Sequence, residues 1–139
     1  MTPGTILFHK NFVFADGASA DKFLVVLAAT DYEILVAKTT SQGRNYRIDH
    51  GCQAGNYFPA FLLTVGCCCL SKNSWVCLGD YYELEKQKVF DGAVGGAIRV
   101  FGMLTEELTR DVQVCAVNTD DISAAQEALI RAHLSLGKQ

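Results

Sequence analysis

Proline, charge and long apolar runs are all scarce in this chain of 139 residues. Two prolines and 50% hydrophobic residues exclude a disordered protein, because disordered chains bury too little apolar surface to fold. The apolar runs are broken well before the ~20 residues that a membrane-spanning helix needs. The N-terminus also lacks the basic start and long apolar region of a secretory signal. We therefore expect a cytoplasmic protein that does not engage a membrane.

An excess of positive charge is also missing, since the formal net charge is −3. This balance excludes a protein that coats nucleic acid by charge alone. The stretch from Lys38 to Arg47 is a local exception, because Lys38, Arg44 and Arg47 occur there without an acidic residue. It predicts a small cationic surface for phosphates, and the simpler interpretation is a solvated loop with extended basic side chains.

Paired metal ligands are absent from the cysteine pattern. Six cysteines occur, three of them consecutive, and no C-x-x-C motif is present. A zinc site normally needs ligands two to four positions apart on two separate arms, so we expect neither a metal nor a cofactor. The weak alternative ligand set is His50 and Cys52 with Cys67 or Cys69. A large aliphatic core needs no disulfide, and we predict reduced, buried thiols.

Short apolar segments rich in β-branched residues alternate with turn residues along most of the chain. This pattern is typical of a small sandwich or barrel of five to seven strands. Pro59 favours the entrance or edge of a strand over a central position. The glycines at 92, 95 and 96 are assigned to a loop or to the edge of the last strand. The predicted strands are 5–9 with 11–14, 22–29, 33–38, 46–49, 58–65, 74–78 and 98–101.

Helical patterning begins after Gly102, where two acidic residues occupy the first turn of a predicted helix. A second helix is predicted from Ser123, whose spacing to Gln126 matches a capping box. We expect its apolar stripe to pack on the barrel or on a second subunit. This predicted stripe consists of Ile122, Ala125, Leu129, Ala132 and Leu136.

The chain shows neither an internal repeat nor a linker. We therefore predict a single, mainly β domain over residues 1–139 with helices at its C-terminal end. Within it, a small β-barrel spans about 3–101 and a helical segment spans about 103–139.

Polar residues follow the second of two neighbouring buried strands. The segment that ends at Lys38 continues as Thr39-Thr40-Ser41-Gln42-Gly43. A buried apolar strand does not require these hydroxyl and amide side chains. An ordinary polar turn is the structural explanation. The functional explanation is a site at this point, and we place the candidate chemistry here.

Five short motifs together resemble the MazF/PemK toxins, the CcdB/Kid-type SH3-like barrels. They are Pro3-Gly4-Thr5-Ile6, Asp16-Gly17, Lys22 before a Val-Val-Leu strand, Thr39 to Gln42, and Gly102-x-Leu104. The resemblance covers most of Pro3 to Leu108 in order. It implies a small SH3-like β-barrel, usually a homodimer, that cuts single-stranded RNA without a metal and is inhibited by an antitoxin protein. The roughly thirty residues after Leu108 extend beyond what the family needs.

The resemblance also implies which residues act. Thr40 matches the threonine that holds a phosphate oxygen, with Ser41 and Gln42 in support, and Arg44 or Arg47 would contact flanking phosphates. The family's Arg-Pro pair is replaced here by Lys22-Phe23. Lys22 would neutralise the charge that develops on the phosphate, although lysine lacks the bidentate fork of arginine. The predicted catalytic residues are therefore Lys22 and Thr40, and Ser41, Gln42, Arg44 and Arg47 are the predicted substrate-binding residues.

Two alternatives remain open from the sequence. The first is a non-catalytic SH3-like barrel that binds a protein or a nucleic acid through the same groove, which the loss of the Arg-Pro pair favours. The second is a different enzyme that uses His9 and His50 as an acid and base pair near neutral pH. Phe23, Tyr46 and Tyr57 are candidate stacking surfaces for bases, although aromatic residues in strands usually belong to the core.

Overall fold

The computed structural model describes residues 1–136 and shows a mainly β protein with a seven-stranded antiparallel sheet and three helices. The number of strands lies within the predicted five to seven, although the predicted strand 46–49 does not form and the strand at Tyr82–Glu85 was not predicted. The strands are β1 (Thr5–Val13), β2 (Ser19–Ala29), β3 (Glu33–Thr40), β4 (Ala60–Leu63), β5 (Ser74–Cys77), β6 (Tyr82–Glu85) and β7 (Ile98–Met103). The helices are α1 (Lys86–Gly95), α2 (Glu106–Val117) and α3 (Ala124–Leu136).

Strand β3 joins the two parts of the sheet. The strand order is β4-β5-β3-β2-β1-β7, and β6 pairs with β3 outside this path. The first half of β3 pairs with β6 through Glu33 to Val36, and its last two residues, Thr39 and Thr40, pair with β5. Strand β2 pairs with β3 on the other side. The polar end of β3 therefore lies where β3 has changed partner from β6 to β5.

Strands β2 and β3 are buried on both faces, which explains why their sequences are almost continuously apolar. On one face, Val25, Leu27 and Leu35 pack in a core cluster that includes residues of α2 and α3. On the other face, Leu24 and Ile34 belong to a second cluster that contains Val89 of α1. The helices thus cover both sides of the central strands.

The edge of the sheet lies where Pro59 predicts it. Pro59 directly precedes β4, and β4 is the terminal strand of the order. A proline has no backbone N–H to donate, so at an edge position the sheet loses no hydrogen bond between strands. This prediction is confirmed, although the strand is shorter than the predicted 58–65.

The glycine-rich segment is a helix and not the predicted loop or strand edge. Helix α1 includes Gly92 and Gly95 and ends at Gly96, which adopts a left-handed φ of 84°. The glycine at position 92 is required by packing, because a Cβ there would lie 2.6 Å from the Cδ1 atom of Ile98. The prediction was wrong because these glycines terminate the helix and allow close contact with β7.

Both predicted C-terminal helices form, although β7 continues to Met103 and α2 begins at Glu106, slightly after the predicted start at about 103. Thr105 caps α2 by accepting a hydrogen bond from the Leu108 N–H at 3.2 Å. Ser123 and Gln126 form the reciprocal capping box, with both hydrogen bonds at 3.1 Å. None of the described helices is long and apolar enough to cross a membrane.

The predicted apolar stripe of α3 is partly wrong. Ile130 is completely buried, although it was not assigned to the stripe. Ile122 and Leu129 pack against the core as predicted, whereas Ala125 and Ala132 are exposed. The helix is rotated towards the larger Ile130 side chain, since burial of isoleucine stabilises the fold more than burial of alanine. The side chain of Leu136 lies outside the described residues.

A disulfide between Cys52 and Cys115 corrects the prediction that all the cysteines are reduced. It links the long loop between β3 and β4 to α2 across 63 positions of sequence, with the two Cα atoms 5.6 Å apart. Cys77 is buried as predicted, Cys67 and Cys68 are half-buried, and Cys69 is exposed. The pairing could not be predicted from spacing, because six cysteines allow many combinations.

Reduction of the disulfide is expected to lower the free energy of unfolding by about 2–4 kcal/mol, because a long loop of the unfolded chain is no longer closed. The check is denaturant unfolding of the wild type with and without reductant, beside the double variant Cys52→Ser/Cys115→Ser. The variant should match the reduced protein and be insensitive to reductant. Thiol titration of the unreduced, denatured chain should detect four thiols, and a count of six would contradict the pairing.

Candidate functional site

Strand pairing places Lys22 beside Thr40. Strands β2 and β3 are antiparallel, and the register pairs Leu24 with Lys38. Two residues beyond this last paired position on each strand, Lys22 and Thr40 lie on the same face of the sheet, because side chains alternate along a strand. The two predicted catalytic residues, which are eighteen positions apart in sequence, are therefore neighbours in the fold.

A cleft of about 320 Å³, which we call the β2–β3 pocket, opens at this end of the strands. Phe23 and Leu70 form its apolar part. Its polar lining brings together three predicted site residues and five others, namely Lys22, Thr40 and Ser41 with Asp21, Thr39, Ser71, Lys72 and Ser74. A cleft lined by two lysines and several hydroxyl-bearing residues has a composition suited to an anionic ligand such as a phosphodiester.

The two adjacent threonines have different roles. Thr39 is buried, and its hydroxyl donates a hydrogen bond to the Phe23 carbonyl at 3.0 Å. It therefore holds β3 to β2. The Thr40 hydroxyl oxygen accepts a hydrogen bond from the Gln42 N–H at 3.1 Å. Because a hydroxyl carries one donor hydrogen as well, Thr40 remains able to donate to a ligand in the pocket.

Lys22 is half-buried at the pocket wall. Its Nζ atom lies 5.8 Å from the centre of the Phe14 ring, and the Nζ atom of Lys38 lies 5.5 Å from the same ring. Burial lowers the pKa of Lys22, proximity to Cys77 raises it, and the positive charge of Lys38 lowers it further. Lys22 is partly desolvated and lies near a second cation. An anionic ligand would therefore stabilise its ammonium group more than it would stabilise that of an exposed lysine.

The other predicted substrate-binding residues lie outside the lining of the β2–β3 pocket. Gln42 and Arg44 are exposed. The guanidinium of Arg47 forms two hydrogen bonds to the Asp49 carboxylate, at 2.9 and 3.0 Å. Arg47 and the neighbouring His50 hold the pKa of Asp49 well below its usual range. Arg47 is therefore already paired with an acid, whereas Gln42 and Arg44 face solvent at the rim.

The loop that carries these residues is not the predicted strand at 46–49 but a turn organised by Gln53. The Gln53 side chain is buried and accepts a hydrogen bond from the Arg47 N–H at 2.9 Å. It also donates to the carbonyls of Arg47 and His50, at 2.8 and 2.9 Å. The Trp75 indole N–H donates to the same Arg47 carbonyl at 2.9 Å. Side chains replace a neighbouring strand as the partners of this backbone, so no strand forms.

Two functional candidates were missed in the sequence. Lys72 lines the β2–β3 pocket from the loop before β5, far in sequence from the predicted motif. Gln53 shapes the loop from a buried position. Lys72 is one of several lysines in the sequence, and Gln53 belongs to no recognisable motif. Only the tertiary contacts identify these two residues as part of the site and its loop.

The alternative histidine pair is not brought together in the β2–β3 pocket. His9 lies opposite Lys22 in the β1–β2 pairing, and its Nδ1 donates to the Lys10 carbonyl at 2.8 Å. His50 pairs with Asp49 on the loop. The alternative zinc set has lost Cys52 to the disulfide. Among the described residues, no group of three or more His, Cys, Asp or Glu side chains is placed to hold a metal ion.

No family model matches the chain, and no curated protein shows significant sequence similarity to it. The assignment of a function therefore depends on the geometry of the β2–β3 pocket and on the motifs that line it.

Substitution of Lys22 by Met is expected to raise the free energy of unfolding at pH 7. Because folding lowers the pKa of Lys22 below its ordinary value of 10.5, the unfolded chain binds more protons between the two values. Wild-type stability should therefore rise with pH across that window, and the advantage of Lys22→Met should shrink. Urea unfolding at pH 7 and near pH 10 measures both effects.

The matched control is Lys88→Met, because Lys88 lies exposed on α1. It should leave both the stability and its pH dependence close to the wild type. A Lys22→Met protein that is less stable than the wild type at pH 7 would contradict a desolvated, unpaired ammonium at position 22.

Proposed function

We propose that this chain is a MazF/PemK-like endoribonuclease that cleaves single-stranded RNA in the β2–β3 pocket without a metal. The observation that supports the proposal most directly is the position of Lys22 beside Thr40 at one cleft. Lys72 supplies a second ammonium group and Ser41 a further hydroxyl. Cations and hydroxyl donors around a cleft are the groups that bind a phosphodiester and stabilise added charge on it.

RNA carries its own nucleophile in this reaction. The ribose 2′ hydroxyl loses its proton to solvent and attacks the adjacent phosphorus, and the bond to the 5′ oxygen of the next nucleotide breaks. The Thr40 hydroxyl donates to a non-bridging phosphate oxygen and so fixes the geometry of attack. Lys22 neutralises the developing charge, and its lowered pKa favours donation of a proton to the leaving 5′ oxygen.

The loop after β3 would guide the RNA towards the β2–β3 pocket. Gln42 holds Thr40 in place through its backbone N–H. Arg44 is exposed and would contact a flanking phosphate, while Arg47 would contribute less because Asp49 already neutralises it. Exposed charges of this kind act mainly by long-range attraction that salt screens.

The proposal includes an SH3-like barrel, a homodimer and an antitoxin partner. A small antiparallel sheet with a long loop between β3 and β4 supports the first. The apolar side chains of Val100 and Met103 are exposed on the edge strand β7, with exposures of 61% and 55%. An apolar edge of this kind supports a second protein at this strand, whether another copy or an inhibitor.

A non-catalytic barrel is the second candidate, and the position of Phe23 favours it. The Phe23 ring packs 5.3 Å from the ring of Phe8 and 4.7 Å from that of Phe101, measured between centres. The residue that replaces the family's proline is thus part of the aromatic packing. Lys22 would then hold an anionic partner without cleaving it.

Incubation with mixed-sequence single-stranded RNA in EDTA tests the proposal. We expect cleavage that leaves 2′,3′-cyclic phosphate ends. Thr40→Ala should slow cleavage by about 100-fold, which is the usual cost of losing one donor to a developing oxyanion. Lys22→Ala should also slow cleavage, whereas Thr40→Ser should retain most of the activity because it keeps the hydroxyl. End mapping and single-turnover rates provide the measurement.

Lys88→Ala is the matched control for Lys22→Ala, since it removes an exposed lysine from α1. It should cleave at the wild-type rate. RNA that binds and stays intact would support the non-catalytic barrel. RNA that neither binds nor is cut would reject both nucleic-acid functions.

A further inference from the structure

A second pocket, with a volume of about 460 Å³, opens on the same face of β3 as Thr40. Its lining includes Lys38 of β3 and Cys77 of β5, together with Tyr57 and Phe58 from the loop that precedes β4. Because Lys38 and Thr40 are two positions apart on one strand, their Cα atoms are separated by about 6.5 Å. The second pocket therefore adjoins the β2–β3 pocket.

The wall of this second pocket exposes aromatic rings. Tyr57 is 90% exposed and Phe58 is 44% exposed, and their rings meet edge to face with centres 4.8 Å apart. Neighbouring exposed aromatic rings of this kind are uncommon on a surface that contacts only water. A nucleobase is a planar, polarisable ligand that stacks on such rings whatever its sequence context.

Tyr46 gives the pocket a rigid backing. Its ring stacks on Trp75 with centres 5.9 Å apart, and its hydroxyl lies 3.6 Å from the Cys77 sulfur. Burial raises the pKa of Tyr46, and the hydrogen bond to Cys77 raises it further. Both contacts come from β5, so residues of the sheet hold the Tyr46 ring in the wall of the pocket.

Two carboxylates, those of Asp80 and Asp121, complete the lining of the second pocket. Asp80 pairs with the Lys38 ammonium at 3.3 Å. Among residues 1–134, whose side chains the structure describes, no cation lies within ion-pair distance of Asp121. Asp121 is exposed, and because an ionised carboxylate only accepts hydrogen bonds, an N–H donor of a ligand can take the place of water there. Exocyclic amino groups of bases are donors of this kind.

The cations connect the two pockets. The ammonium groups of Lys22 and Lys38 lie 5.8 and 5.5 Å from the centre of the same Phe14 ring. Lys22 lines the β2–β3 pocket, and Lys38 lines the second one. The two lysines thus bring a cation of each pocket to the same aromatic ring.

We propose that the second pocket binds one nucleobase next to the phosphate in the β2–β3 pocket, and that Asp121 selects bases with an exocyclic amino group over uracil. The base stacks on Tyr57, and its amino group donates to the Asp121 carboxylate. This inference rests on the proposed function, because it assumes that the ligand is single-stranded RNA.

The test measures the binding of short 2′-O-methyl oligonucleotides of cytosine, adenine or uracil by fluorescence anisotropy in EDTA. The 2′-O-methyl group blocks the nucleophile, so binding is measured without cleavage. We expect the wild type to bind the cytosine and adenine oligomers at least tenfold more tightly than the uracil oligomer. Asp121→Asn should reduce this ratio towards one, and Tyr57→Ala should weaken the binding of all three oligomers.

Asp111→Asn is the matched control, because Asp111 is exposed on α2 and lies outside the lining of the second pocket. It should keep the wild-type preference. Equal binding of the three oligomers by the wild type, weakened by Lys22→Ala but unchanged by Tyr57→Ala, would overturn the base pocket and leave RNA binding in place. Failure to bind any oligomer would overturn both.

Discussion

The pairing of β2 with β3 is the constraint on which the rest of the structure depends. Both strands are buried on both faces, and helices cover each side. Their register places a lysine near the start of β2 on the same face of the sheet as a threonine at the end of β3. A slip of one residue would turn each side chain of the strand to the opposite face, and Thr40 would no longer share a face with Lys22.

Polar chemistry is possible at the end of β3 because the hydrophobic packing stops there. Thr39 still belongs to the fold, since its hydroxyl bonds to the backbone of β2. Thr40 is the first residue of the strand whose hydroxyl can serve a ligand. Lys22 is kept half-buried next to Lys38 without an ion pair among the described side chains, which is unfavourable for the folded state alone. An anionic ligand would offset that cost, and this is the energetic argument for a phosphate site.

The long loop between β3 and β4 is ordered by side chains and not by strand pairing. The buried Gln53 side chain and the Trp75 indole of β5 form hydrogen bonds to the loop backbone. The Cys52–Cys115 disulfide links the loop covalently to α2. These contacts hold Tyr46 against Trp75 and place the exposed Tyr57 beside the carboxylates of the second pocket. The loop thereby becomes part of the surface that the proposed RNA would contact, although it contains no regular secondary structure.

The sequence by itself determined the mainly β class, the central strands, the edge position after Pro59, the acidic first turn of α2 and the capping box of α3, because these depend on local patterning and capping chemistry. It also identified Lys22, Thr40 and Ser41 as candidates. The helix at Lys86–Gly95, the disulfide, the loop around Gln53 and the place of Lys72 were decided only by the tertiary structure. Each of these depends on a partner distant in sequence, such as Ile98 against Gly92 or Cys115 against Cys52. Local patterns carry no information about such partners, since the contacts exist only once the strands have paired.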